Sequence, residues 1–108
     1  MVELKTIKAT EIIKGFSGRF VHTQHNTLAW WEVKKDAVLP RHSHENEQVT
    51  QILEGTFKLT VAHETFICKP GFVKVIPPNV EHEGVALTDC KIFDLFAPGR
   101  PEYRNDEN

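Results

Sequence analysis

Short apolar segments of about five to seven residues recur along this 108-residue chain and are separated by turn residues. They are rich in Val, Ile, Phe, Trp and Thr, which suit a pleated, half-buried surface. Short strands at regular spacing, with turn signals between them, are typical of an antiparallel sandwich or barrel. The pattern therefore predicts an all-β fold. The segments are GRFVH, TLAWWEV, QVTQIL, FKLTV, TFICK, FVKVI, EGVAL and CKIFDLF.

The length of the chain and its turn signals set the expected domain organisation. Glu54-Gly55 and Pro77-Pro78-Asn79 are strong turn signals between the apolar segments. We expect a helical turn or two within residues 5–15 only. A chain of 108 residues accommodates a single hydrophobic core. We therefore predict one domain over residues 1–108, with its barrel core at about 18–98.

Composition and charge argue against two classes of partner. The formal net charge is −2, from 13 basic and 15 acidic residues, so there is no basic footprint for nucleic acid. No apolar stretch approaches the roughly 20 residues of a membrane span, and the N-terminal segment MVELKTIKATEIIKG does not read as a signal peptide. Cys68 and Cys90 match no zinc or redox spacing, so we expect reduced, buried thiols rather than a disulfide. We therefore expect a cytoplasmic protein that binds neither nucleic acid nor membranes.

The segment HSHENEQ places several potential metal ligands on one side of the chain. His42 and His44 are two residues apart, so on a strand they project from the same face, about 7 Å apart along the chain. That separation lets two imidazoles converge on one ion. Gln48 has the same parity and opens the next apolar segment, so it can return to the same pocket. Glu45 and Glu47 have the opposite parity and are expected to face outward.

A third histidine follows a proline turn further along the chain. The segment FVKVI predicts a strand, and Pro77-Pro78-Asn79 predicts the turn that delivers His82. Alone, such a histidine is more often a surface residue; together with the HSH segment it forms a candidate metal site. The expected cofactor is one divalent transition metal, and histidine and glutamine ligands do not select between zinc, nickel, cobalt, manganese and iron.

These motifs resemble those of the cupin superfamily over roughly residues 18–103. The resemblance implies a jelly-roll barrel, also described as a double-stranded β-helix. The first cupin motif is matched from His42 to Gly55, with Gln48 in the acidic position and Asp36 in place of the leading glycine. Asn79 replaces the inner glycine of the second motif and tolerates a positive φ. The other positions of that motif are Gly71, Pro77 and His82, with Ala86 in place of the final asparagine.

The C-terminal segment contributes two further candidate residues. In CKIFDLF, Asp94 lies among apolar residues and shares strand parity with Phe96. A buried carboxylate costs free energy unless it is paired or protonated, so Asp94 either faces the pocket as a candidate acid–base group or faces outward at a strand end. Arg100 follows Pro98-Gly99, a turn that could fold its guanidinium over the barrel mouth, where it would suit a bidentate carboxylate grip. The alternative is a solvated arginine.

The whole pattern is similar to a narrower group, the small cupins of pectin and alginate breakdown that convert 4,5-unsaturated uronates to their linear keto form. This chain shares the IPPNV turn and the Asp94, Phe96 and Arg100 spacing of that group, with Asn46 where a histidine is common. The resemblance implies catalysis by Asp94 and Arg100 and substrate binding by Phe96 and Arg100. It also implies a homodimer and a small anionic carbohydrate substrate. The implied metal ligands are His42, His44, Gln48 and His82.

Two other functions remain open from the sequence. One is a non-catalytic, metal-dependent sugar-acid binder or sensor, and the other is a metal-dependent dioxygenase. Three neutral imidazoles and an amide leave a divalent cation with nearly its full charge, which favours an anionic ligand and Lewis-acid chemistry over the two-histidine, one-carboxylate site of oxygenases. The expected enzyme is therefore a metal-dependent isomerase or lyase that ketonises unsaturated uronates.

Overall fold

The computed structural model describes residues 1–103; residues 104–108, the end of the predicted domain, lie outside the described residues. A short 3₁₀ helix, Leu4–Thr6, precedes a series of antiparallel strands. No helix in the described part of the chain has the length and apolar character needed to cross a membrane. The strands are β1 (Thr10–Ile13), β2 (Phe16–His22), β3 (Thr27–Val33), β4 (Val38–His42), β5 (Glu47–Glu54), β6 (Phe57–Val61), β7 (Glu64–Cys68), β8 (Val73–Ile76), β9 (His82–Ala86) and β10 (Cys90–Ala97).

The strands form two sheets that face each other in a jelly-roll barrel. The larger sheet has six strands in the order β1-β2-β3-β10-β5-β8, and the smaller has four in the order β4-β9-β6-β7. All strand pairs are antiparallel. The prediction of an all-β fold is confirmed. Because β10 lies between β3 and β5, the C-terminal strand is central in the larger sheet and carries its side chains into the barrel.

Strand β1 occurs where the sequence did not predict one, and the strand predicted through His42 and His44 ends at His42, which leaves His44 outside any strand. The expected helical turn within residues 5–15 is limited to Leu4–Thr6 at its start, and Thr10–Ile13 is extended and pairs with β2. Burial explains this difference, because Ile12 and Ile13 pack against the core. Strand β4 contains Pro40, which is tolerated because β4 is an edge strand of the smaller sheet.

The core of the barrel combines a cluster of aromatic rings with a few buried polar side chains. Phe16, Phe20 and Trp31 pack edge-to-face, with ring centroids 5.2–6.3 Å apart. Along β10 burial alternates, so that Asp94 and Phe96 face inward. Cys68 and Cys90 are buried free thiols, as predicted.

Several residues have a positive φ, and Asp36, Gly55 and Asn79 among them occupy positions of the cupin motifs. Asn79 has a φ of 65°, which confirms that it serves in place of the expected glycine. Asp36 stands where the cupin motif has its leading glycine, and it also adopts a positive φ, 70°. At Gly55, φ is +84° and a Cβ atom would collide with the carbonyl oxygen of Asp89, so no larger residue fits there. Of these, the turn at Asn79 joins the two histidine-bearing segments, because its backbone N–H donates to the carbonyl oxygen of His44 at 2.8 Å.

Candidate metal and substrate site

A cavity of about 330 Å³ lies between the two sheets and contains most of the predicted site residues. Its polar lining residues include His42, Gln48, Thr50, Asp94 and Arg100. Its apolar lining residues include Ile12, Ile13, Phe16, Leu39, Phe57, Leu59 and Ile92. The cavity therefore offers contacts to both charged and apolar groups.

Three histidines lie close together beside this cavity, and one of them, His42, lines it. His42, the last residue of β4, is the direct cross-strand partner of His82, the first residue of β9, and their ring centroids are 4.3 Å apart. His44 lies in the connection to β5, with its centroid 5.5 Å from that of His42 and 5.1 Å from that of His82. One ring nitrogen from each histidine lies within 4.8 Å of the other two. The three imidazoles are positioned to hold a metal ion.

The backbone selects the tautomer of all three rings. In each histidine, Nδ1 lies within hydrogen-bond distance of a backbone carbonyl oxygen two residues away. A carbonyl can only accept, so Nδ1 carries the proton, and Nε2 of the neutral ring keeps its lone pair for a metal. The donor–acceptor pairs are His42–Pro40 at 2.9 Å, His44–Asn46 at 3.0 Å and His82–Val80 at 3.0 Å.

The histidine ligands fit a metal ion, because each has a neutral ring with a lone pair on Nε2, and one of these nitrogens has no hydrogen-bond partner in the described part of the chain. His82 is 1% exposed, and its Nε2 is the one buried side-chain nitrogen or oxygen without a hydrogen-bond partner among the described residues. Burial lowers the pKa of His82 to about 4. Burial also lowers the pKa of His44, with a further contribution from the charge of Arg100. A divalent transition metal fits this set of neutral imidazoles.

Gln48 provides a fourth polar atom beside the histidines. Its Oε1 lies 3.0 Å from Nε2 of His44, and its Nε2 donates to Oγ1 of Thr50 at 2.9 Å. Gln48 is 6% exposed at the start of β5, so it reaches the same cavity as the histidines across the barrel end. The structure therefore brings together all four residues that the sequence singles out as metal ligands.

Asp94 is buried beside this polar cluster. It is 7% exposed and is the cross-strand partner of Thr50, so the outward-facing alternative for this residue is wrong. Its Oδ1 accepts from Oγ1 of Thr50 at 2.6 Å, and its Oδ2 accepts from Nε1 of Trp31 at 2.9 Å. Burial raises the pKa of Asp94 to about 6, although hydrogen bonding from Thr50, Gln48 and Trp31 favours the ionised form. Such a carboxyl group can both take up and release a proton near neutral pH.

Arg100 and Phe96 form the wall and mouth of the cavity. The turn after β10 is anchored where the backbone N–H of Arg100 donates to Oγ1 of Thr27 at 2.7 Å. The Arg100 guanidinium lies over the rings of Tyr103 and Phe96, at 4.4 and 5.3 Å from their centroids, and its Nε donates to Glu102 at 3.0 Å. Its side chain is only 16% exposed, so the solvated alternative is wrong. Arg100 is folded over the barrel mouth.

Several residues of this site were not among the sequence-based candidates. Thr50 shares strand parity with Gln48, which is the one signal that places it in the cavity. Tyr103 stacks on Phe20 at 5.0 Å and lies beside Arg100, but its distance from any motif left no sequence signal. Asn46, which replaces a common histidine, donates to the carbonyl oxygen of Pro98 and so ties the first motif to the C-terminal turn.

A second, more open groove lies outside the barrel. It has a volume of about 810 Å³ and is lined in part by Val2, Ile7, Phe20, His22 and Gly99. The metal-ligand cluster of the described residues is not among the residues that line it. We therefore assign the functional site to the inner cavity.

Comparison with known proteins supports the fold. Residues 29–96 match the model of the cupin domain. The structure of KdgF from Halomonas sp. is 26% identical, covering 91% of this chain and 92% of that chain, with a TM-score of 0.86. The polyketide cyclase RemF from Streptomyces resistomycificus is also 26% identical, covering 98% of this chain and 84% of that chain, with a TM-score of 0.80.

A third solved structure agrees in fold. An RmlC-like cupin from Shewanella frigidimarina NCIMB 400 is 22% identical, covering 96% of this chain and 95% of that chain, with a TM-score of 0.91. No curated protein sequence matches the chain significantly. The prediction of a small cupin is confirmed by the domain match, which spans well over half of the residues, and by the two-sheet barrel. This chain belongs to the cupin family.

Proposed function

We propose that this cupin is a metal-dependent enzyme that converts 4,5-unsaturated uronate monosaccharides to their linear keto form. The observation that carries the proposal is a buried carboxyl group, Asp94, that lines one cavity together with His42, Gln48 and Arg100, where His42 belongs to a cluster of three histidines. A proton donor and acceptor (Asp94), a cluster of metal ligands and an anion-binding side chain (Arg100) are then close enough to act on one small substrate. The similarity of the motifs to uronate-ketonising cupins, together with the likeness to KdgF, supports this choice of substrate.

The metal would be held by His42, His44, His82 and Gln48, which present neutral nitrogen and oxygen ligands. When bound, the cation would act as a Lewis acid toward oxygen atoms of the substrate. The neutral ligand set suits an anionic substrate, because no ligand carboxylate offsets the charge of the ion.

Arg100 would bind the carboxylate of the uronate. Its guanidinium is fixed by Glu102 on one side and by the ring of Tyr103 below, which limits the side-chain entropy lost on binding. A guanidinium has five donors, so pairing of Nε with Glu102 leaves the Nη groups able to make paired hydrogen bonds to a carboxylate. Phe96 is 2% exposed and packs edge-on to His44, so it gives the cavity a fixed wall beside the ligands.

Asp94 would move the proton in this isomerisation. The bond between the anomeric carbon and the ring oxygen breaks, and the anomeric hydroxyl loses its proton as it becomes an aldehyde. The electron pair stays on the former ring oxygen, which leaves an enol. Protonation of the alkene carbon remote from that oxygen, with loss of the enol proton, gives the ketone. No atom is gained or lost and nothing is oxidised, so a single carboxyl group with a pKa of about 6 is suited to the task.

The test is a turnover assay with the metal-loaded protein and a 4,5-unsaturated monouronate. We expect the ultraviolet absorbance of the conjugated double bond to fall, with and without oxygen. Asp94→Asn should reduce kcat by about 10²- to 10⁴-fold, whereas Asp89→Asn, which changes an exposed carboxylate, should not.

Three outcomes would contradict the proposal. An unchanged rate in Asp94→Asn would remove that residue from the mechanism. Tight binding of the uronate without turnover would favour the sugar-acid binder. Turnover that requires and consumes oxygen would favour the dioxygenase.

The apolar residues that line the cavity support a second candidate function. Phe16, Phe57 and Ile92 line a region that a polar monouronate would leave without polar partners. An enolisable substrate with an aromatic or other carbocyclic part would fill it, and the likeness to the polyketide cyclase RemF is in keeping with such a substrate. Calorimetric titration with an aromatic β-keto acid and with a monouronate separates the two, because only the first should gain affinity from the apolar region.

The cellular setting completes the proposal. The family resemblance implies a cytoplasmic homodimer, and we retain both as part of this proposed function. Sedimentation velocity of the purified protein over a range of concentrations tests the dimer. A species of monomer mass at all concentrations would contradict it.

A further inference from the structure

A chain of polar side chains links Asp94 to His44 through the interior. Oγ1 of Thr50 donates to Oδ1 of Asp94 at 2.6 Å, and Nε2 of Gln48 donates to the same Oγ1 at 2.9 Å. Oε1 of Gln48 then lies 3.0 Å from Nε2 of His44. Thr50 and Gln48 are each 6% exposed, so water does not replace these partners freely.

When Asp94 is ionised, both of its oxygens can only accept, and the number of hydrogens then fixes the direction of each hydrogen bond in this series. Oδ2 of Asp94 is occupied by the Trp31 N–H, which can only donate. Thr50 has a single hydroxyl hydrogen, and it is given to Asp94. The Thr50 oxygen can then only accept from Gln48, so the amide must present its NH₂ group to Thr50. Oε1 is thereby turned toward His44.

The other end of the chain is complementary to a cation. Nδ1 of His44 donates to the carbonyl of Asn46, so Nε2 of the neutral ring has a lone pair and no hydrogen. Oε1 of Gln48 is also an acceptor, and the two atoms are 3.0 Å apart. Two acceptors this close require a positive partner. An amide oxygen can supply a lone pair to a metal, whereas the NH₂ nitrogen of the same group cannot.

We propose that Thr50 is a positioning residue for the metal: its hydroxyl holds the Gln48 amide with the oxygen, rather than the nitrogen, toward the ion. The inference rests on the metal site of the proposed function but not on the identity of the substrate. Thr50 itself contacts neither metal nor substrate in this role. Its loss would remove the hydroxyl partner of the Gln48 amide and leave the Asp94 carboxylate, of the described residues, as the one other side chain that attracts its NH₂ group.

Thr50→Val tests this because it removes the hydroxyl while keeping the shape of the side chain. Loss of a residue that orients a metal ligand typically lowers metal affinity by about 10- to 100-fold, and we expect a decrease in that range for zinc. Thr50→Ser retains the hydroxyl and should restore binding to within about threefold. Thr60→Val is the matched control, because Thr60 lies in the smaller sheet and its hydroxyl is hydrogen-bonded to that of Thr65 in the same sheet.

Zinc affinity is measured by competition with a chromophoric chelator, using metal-free full-length protein whose fold is verified by circular dichroism. A second readout is the visible spectrum of the cobalt(II)-loaded protein, which reports the ligand set directly. It should change in Thr50→Val and stay unchanged in Thr50→Ser and Thr60→Val. If Thr50→Val does not fold, Thr50→Ala removes the same hydroxyl without the added methyl group.

The Gln48→Glu background distinguishes orientation from a general effect of the substitution. A carboxylate has two equivalent oxygens and no nitrogen to turn away, so Thr50→Val should have no further effect on zinc affinity there. The inference is overturned if Thr50→Val binds zinc like the wild type, or if its cost is the same in both backgrounds. Wild-type protein that binds zinc but does not ketonise uronates would contradict the proposed substrate alone. Wild-type protein that binds no zinc would overturn both.

Discussion

His42 and His82 face each other directly across β4 and β9, with their ring centroids 4.3 Å apart, although strands β5 to β8 lie between them along the chain. Each ring has its Nδ1 proton committed to a backbone carbonyl. The register of one strand pair therefore both joins the two halves of the metal site and leaves one ring nitrogen free on each side.

Metal binding should stabilise the fold. Ligands assembled from β4, β5 and β9 exist only in the folded state, so a bound ion adds about 2.7 kcal/mol to the free energy of unfolding at an ion concentration 100 times the Kd. Thermal unfolding with and without zinc measures this. His42→Ala should lose most of the increase, whereas His63→Ala, in an exposed turn, should keep it. Equal zinc responses in the two variants would argue against the site.

The buried carboxyl group should impose a distinct pH dependence on stability. Burial raises the pKa of Asp94 from 3.8 to about 6, so between these values the folded state holds its proton more tightly than the unfolded state. Stability from this group is therefore lost as the pH rises through that window. Relative to Asp94→Asn, metal-free wild type should lose about 3 kcal/mol between about pH 4 and about pH 7. Chemical denaturation of both proteins at several pH values checks this, and a constant difference would contradict it.

Trp31 should tune the acidity of Asp94. Its indole N–H donates to Oδ2 of the carboxylate and favours the ionised form. Trp31→Phe should therefore raise the pKa of Asp94 and move the limb of the pH–rate profile that reports its ionisation by about one unit to higher pH. Trp30→Phe is the control, because Trp30 packs on Phe93 on the outer face of the sheet. A similar shift in both variants would count against the hydrogen bond as its cause.

Arg100 should determine affinity for the substrate carboxylate. Arg100→Lys keeps the charge but loses the planar fork and its contact with Tyr103, so we expect KM to rise about tenfold with a smaller change in kcat. Arg19→Lys, which alters an arginine paired with Glu32, should leave both constants unchanged. Steady-state kinetics on the same uronate decides this. A fall in kcat without a change in KM would instead place Arg100 in the chemical step.

The local sequence was sufficient for much of the metal site. The HSHENEQ segment and the IPPNVEH turn carry the ligand types and the turn chemistry of the site, although His44 lies outside any strand and not on one strand with His42 as strand alternation predicted. The positive φ of Asn79 likewise follows from a property of the residue itself. By contrast, β1 lies where the sequence allowed a helical turn, because a short strand with few strongly apolar residues is stabilised by its neighbour rather than by its own composition.

The chain by itself determined an all-β barrel and the ligand types, because strand alternation and turn chemistry act over a few residues. Only the tertiary structure decided that Asp94 faces inward, that Arg100 folds over the mouth, and that Thr50 and Trp31 hold the carboxyl group. The reason is that these properties depend on cross-strand register. Trp31 and Asp94 are 63 residues apart along the chain, and no local preference specifies which atoms meet over such a separation.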